Sequence, residues 1–206
     1  MDSKELLRLA KEYEEKDDPD RAYQCYLEAA MAEDDGEAVY VLAEKYLKGA
    51  IVAWDVDKAA HYFELAYERG YEIPAECYVM IGGLYRQQDE KRNLEMAMWW
   101  YQKALDAGLN YVNACIGELY YLGEGVDKDC KRAFELFKKV EDQSLPYYYL
   151  GLMYESGDYV QKDLVKAAEY YSKIVNDMPI LRDCGDFYYC LAVQRLDKLE
   201  KTACNT

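Results

Sequence analysis

Leu150-Gly151-Leu152-Met153-Tyr154-Glu155-Ser156-Gly157-Asp158-Tyr159-Val160-Gln161-Lys162-Asp163, followed by Lys166-Ala167-Ala168-Glu169-Tyr170-Tyr171, holds the pattern from which the fold is read. It begins with Leu, then Gly, then Tyr three residues on. The same signature stands at Leu9-Ala10-Tyr13, Leu42-Ala43-Tyr46, Ile81-Gly82-Tyr85 and Ile116-Gly117-Tyr120. A second signature follows each: Ala, an aromatic four residues later and a small or aliphatic residue seven later. Its copies are Ala22-Tyr26-Ala29, Ala59-Phe63-Ala66, Ala97-Tyr101-Ala104, Ala133-Phe137-Val140 and Ala167-Tyr171-Ile174. The signature tyrosines are 33, 39, 35 and 34 residues apart. Apolar positions at i, i+3, i+4 and i+7 make one face of an α-helix. Two helical signatures per period in the thirties predict an all-α solenoid of helix pairs. One pair cannot bury its own apolar face, so neighbours stack and share a core. The Gly or Ala permits close helix approach, and the aromatics fill the space between layers.

The interval between the two signatures separates two kinds of repeat. It is 13 residues in the first copy and 17, 16, 17 and 17 in the others, the additional residues lying between the helices. In copy four that loop reads Leu122-Gly123-Glu124-Gly125-Val126-Asp127-Lys128-Asp129. With this G-x-G-V-x-x-D loop before a K-A-x-x-[YF]-[YF] helix, the chain resembles the Sel1-like repeat family, a relative of the tetratricopeptide repeats. The resemblance covers roughly Asp2 to Ile174 and implies a right-handed α/α superhelical solenoid that binds other proteins. Its glycines suit left-handed backbone, and its Asp can cap the second helix. Copy two, with Gly49-Ala50-Ile51-Val52-Ala53-Trp54-Asp55, and copy three, with no glycine from Arg86 to Asn93, depart from the loop pattern and are expected to be shaped differently. The expected organisation is a single domain, 1–206, with repeats at about 2–35, 36–72, 73–109, 110–142 and 143–176. After the break at Asn176-Asp177-Met178-Pro179, a capping helix over about 186–201 covers the end of the stack.

The balance of 40 acids against 25 bases gives a net charge of −15. Nucleic acid and anionic membranes would be repelled, whereas a basic partner is permitted, although acidity also serves solubility alone. No apolar run is long enough to span a membrane, and Met1-Asp2-Ser3-Lys4-Glu5 is no signal peptide, so a cytoplasmic protein is expected. The seven cysteines are odd in number and do not recur with the repeat. They read as reduced thiols, and without a C-x-x-C pair no zinc site is expected.

No catalytic constellation, cofactor motif or metal-ligand spacing stands out. His61, the single histidine, fills a slot held by Gln24, Trp99, Glu135 and Glu169 in the other copies, and is expected at the surface. Asp127, Asp129, Asp158 and Asp163 suit helix capping better than calcium. Trp99 stands out in that polar slot. Packing between repeats and an outer-face contact with a partner, self-association included, both account for it.

In the tetratricopeptide family the first helices line a concave groove. Carried over residue by residue, that resemblance implies a lining with Tyr40, Glu44, Arg86, Glu118, Tyr121, Tyr148, Leu152 and Glu155. Tyr offers apolar area with a hydrogen bond, and Glu pairs with Lys or Arg. Tyr121 and Tyr148 would anchor a basic or amphipathic segment, flanked by Glu118 and Glu155. The expected function is therefore a non-catalytic interaction module. The alternatives are a small-molecule (β-lactam-type) binder or enzyme of the same family, and an inhibitor or immunity-type protein masking a basic partner.

Overall fold

The computed structural model describes all residues except 33–34, 50, 88–90, 178–185 and 204–206. Among the described residues there are eleven α-helices and two short 3-10 turns, and no strand. They form two compact units, Met1–Ala104 and Leu105–Thr206. The first unit contains α1 (Ser3–Glu15), α2 (Pro19–Met31), α3 (Gly36–Lys48), α4 (Val56–Glu68), α5 (Ala75–Gln87) and nearly all of α6 (Lys91–Asp106). The second contains α7 (Asn113–Leu122), α8 (Cys130–Phe137), α9 (Ser144–Ser156), α10 (Leu164–Asp177) and α11 (Phe187–Ala203). The expected end helix is present as α11.

Aspartates start the helices. The Oδ1 atoms of Asp2, Asp18, Asp35, Asp55, Asp129, Asp163 and Asp186 accept from backbone N–H groups three residues on, at 2.8 to 3.2 Å. Each satisfies a donor that the first helical turn leaves over. Capping is thus the role the loop aspartates Asp129 and Asp163 perform.

Left-handed glycines end the first helices. Gly49, Gly123 and Gly157 stop α3, α7 and α9 with φ of 63°, 75° and 85°. Six residues later the N–H of Asp55, Asp129 or Asp163 donates to the carbonyl of Tyr46, Tyr120 or Tyr154, at 3.2, 2.9 and 2.9 Å. The copy-two loop, expected to differ, therefore opens and closes like those of copies four and five. The frame needs only the first glycine and the capping aspartate, and copy two keeps both. The copy-three loop lies partly outside the described residues.

The small residue of the first signature faces the aromatic of the second signature in the same repeat. A Cβ on Gly82 would stand 2.6 Å from the Tyr101 ring, and one on Gly117 would stand 2.8 Å from the Phe137 ring. Gly151 meets Tyr171 in the same way. In these three repeats close approach is therefore set within the helix pair. Tyr26, Phe63, Trp100, Phe137 and Tyr171 are each at most 1% exposed, and burial of each such ring contributes roughly 1.5–3 kcal/mol.

Candidate functional site

The face that resemblance marks as a groove differs between the units. In the second, α7, α9 and α11 spend their facing side chains on one another. Glu118 is 4% exposed and accepts the Tyr149 hydroxyl at 2.7 Å and the Tyr188 hydroxyl at 3.1 Å. Tyr148 is 6% exposed and packs against Tyr149, Tyr171 and Tyr188. The half-buried Tyr121 donates to Asp158 Oδ2 at 2.9 Å, with the Lys128 ammonium 5.1 Å from its ring centroid. Glu155 accepts from Tyr171 at 2.8 Å and pairs with Arg195 Nη1 at 3.1 Å and Lys198 Nζ at 3.8 Å. Leu152 is half-buried.

Two expectations change here. Tyr148 is a core ring rather than an exposed anchor, and Glu118 is a buried acceptor rather than a flanking surface charge. The cause is a partner that sequence spacing does not reveal: Tyr188 lies 70 residues beyond Glu118. Burial first, and the carboxylate partner second, push the Tyr121 and Tyr171 hydroxyls well above the usual phenol range. They stay neutral donors at any physiological pH.

In the first unit Tyr40 is half-buried, its ring 4.9 Å from that of Tyr71 and 5.5 Å from that of Phe63, its hydroxyl 3.5 Å from Cys77 Sγ. Glu44 pairs with Lys48 at 3.2 Å, and Arg86 is half-buried in the last turn of α5. Trp99 is 39% exposed, yet it lies edge-on to Tyr67 at 5.3 Å and to Trp100 at 4.8 Å, with Lys103 5.1 Å from its ring. It packs within its unit and keeps a surface face. His61 is exposed, as its polar slot implies.

A cleft of about 820 Å³ opens beside α4, lined by Trp54, Asp55, Asp57, His61, Glu64 and Tyr85 among others. Trp54 is 62% exposed. Its position, directly before the capping aspartate, holds Lys128 and Lys162 in copies four and five. That substitution of an indole for an ammonium was the signal available in the sequence.

Cys25, Cys77, Cys130 and Cys190 carry free thiols, while Cys184 and Cys204 lie outside the described residues. Among the described residues no group of three or more His, Cys, Asp or Glu is arranged to hold a metal. No described helix is long and apolar enough to cross a membrane.

Comparison with known proteins agrees with the repeat pattern. The Sel1 repeat matches residues 7–34, 36–71, 75–109, 115–143 and 147–175. Two Arabidopsis thaliana relatives, the ERAD-associated E3 ubiquitin-protein ligase components HRD3A and HRD3B, are 30% and 28% identical over 144 residues. These alignments take in 63% of this chain but only 20% and 23% of the relatives, so the chain spans a small part of their length. A protective antigen of uropathogenic Escherichia coli strains, c5321, which displays an SLR fold, superposes with a TM-score of 0.62 at 24% identity over 98% of this chain and 42% of the antigen. A Sel1 repeat protein from Oxalobacter formigenes gives 0.56 at 23% identity, covering 83% of this chain and 72% of that one. Five consecutive repeats covering most of its length place this chain in the Sel1 repeat family.

Proposed function

We propose that this protein is a non-catalytic interaction module that holds a basic or amphipathic segment of a partner protein. The observation that carries the reading is the run of five Sel1 repeats, a family whose members generally mediate protein–protein contacts. The Arabidopsis relatives are named as components of a larger ligase, which fits a part that works by assembly. The net charge of −15 supports a basic partner and would favour fast, salt-sensitive association. Of the positions the resemblance marks, Tyr40, Glu44 and Arg86 in the first unit and Tyr121, Leu152 and Glu155 in the second are only partly buried, and each set is a proposed contact on its own unit. The test is affinity capture from native lysate at low and raised salt. Captured proteins are identified, purified and titrated back onto the chain. A partner with a basic contact segment, released by salt, is expected. A capture dominated by acidic proteins and indifferent to salt would overturn the partner's assigned character, and substrate turnover by the isolated chain would overturn the module.

A further inference from the structure

We infer that the Trp54 cleft is a docking site for a lysine- or arginine-bearing peptide segment, with the Trp54 indole as its platform. The inference rests on the interaction-module reading and gives that module a specific contact outside the first-helix face. The Trp54 backbone packs closely on Gly49, where a Cβ built on the glycine would lie 3.1 Å from the Trp54 Cβ. Trp54 is 62% exposed and borders a cleft of about 820 Å³. An exposed indole beside a cleft offers the best side-chain face for a cation.

The charge around it selects the occupant. Among the described residues three carboxylates line the cleft, from Asp55, Asp57 and Glu64. Asp55 is already engaged, capping α4 and pairing with Lys58 at 3.3 Å. Asp57 is exposed in the first turn of α4. Glu64 receives the Tyr85 hydroxyl on Oε2 at 2.7 Å, which orients the carboxylate without neutralising it. An ammonium or guanidinium over the indole would therefore meet Asp57 and Glu64 as counter-charges. A second copy of this chain fits less well, since it brings another net −15 to the contact.

The experiment titrates the full-length chain with a fluorescein-labelled twelve-residue peptide of alternating Lys/Arg and Leu, read by anisotropy at low and physiological salt. Matched peptides carry Gln or Glu in place of the bases. Trp54→Ala retains the Cβ that Gly49 abuts, and circular dichroism confirms its folding. Binding of the cationic peptide is expected to weaken about tenfold in Trp54→Ala. In Asp57→Asn with Glu64→Gln it should weaken several-fold, with a flatter salt dependence. The exposed-residue control Met31→Ser should bind as wild type does. Equal affinity for the Gln peptide, unchanged affinity in Trp54→Ala, or no binding at low salt overturns the site. Self-association of the free chain that is lost in Trp54→Ala, followed by sedimentation, assigns the cleft to a second copy and overturns the proposal too. A purified partner that binds wild type and Trp54→Ala alike rejects the cleft and leaves the module standing.

Discussion

Tyr159 sits at φ 66° in the fifth-repeat loop, where the fourth repeat has Gly125 at φ 69°. Left-handed backbone costs a residue with a Cβ about 1–2 kcal/mol, and here an exposed tyrosine bears that cost. Its ring recovers part of it against Phe134, at 5.6 Å. Tyr159→Gly should therefore leave the urea midpoint unchanged or slightly raised. Gly157→Ala, at φ 85° and with Lys162 Cβ 3.3 Å from the new methyl group, should lose about 1–2 kcal/mol in the same titration. Glu118 makes a second test at this scale. Tyr149→Phe removes its shorter hydrogen bond, and Tyr149→Phe with Tyr188→Phe removes both hydroxyl donors. We expect a loss of about 1–3 kcal/mol for the single change, and a larger one for the pair, because each deleted hydroxyl takes a hydrogen bond from a buried carboxylate. If Glu118 were a solvated groove charge, neither phenylalanine would register.

Between helices, much of what holds the second unit is tyrosine donating to a carboxylate. Tyr170 donates to Glu141 at 3.0 Å beside Lys138, tying α10 to the 3-10 turn after α8. Burial tends to raise the Glu141 carboxyl, but its bonds to Lys138 and Tyr170 outweigh that and hold it below the ordinary 4.5. A depressed folded-state value means that the contribution is complete above about pH 4.5 and fades as pH falls through the lower folded value. The stability gap between wild type and Glu141→Gln should accordingly be constant from pH 7 to 5 and close on further acidification. A gap that widens there would contradict the assigned sign. The helix pairs themselves were legible in the sequence, since a 3.6-residue period and Gly-beneath-aromatic spacing operate within one repeat. Glu118 and Tyr148 were misplaced because periodicity assigns a position to a face but not the partner waiting on that face. The copy-two loop was misjudged by giving weight to its missing second glycine, whereas Gly49 and Asp55 alone set its frame.

For the molecule as a whole, the excess of acids is a standing self-repulsion that solvent ions relieve. The exposed ion pairs, such as Arg8–Glu12 at 3.9 Å, are worth little and are screened as well. Net repulsion should dominate, so adding sodium chloride to about 0.3 M is expected to raise the thermal midpoint. A fall would mean that attractive pairs outweigh the repulsion. The structural feature with the widest consequence is the loop that runs from left-handed glycine to capping aspartate. Its position before the aspartate holds Trp54, Lys128 or Lys162, and in all three a Cβ built on the glycine would stand 3.1 to 3.3 Å from that residue's Cβ. The frame is thus indifferent to what hangs beyond that Cβ. The position behaves as an interchangeable socket, able to trade a cation for an indole without rebuilding the helices on either side. On the proposed docking role, changing one letter per loop would re-address such a protein.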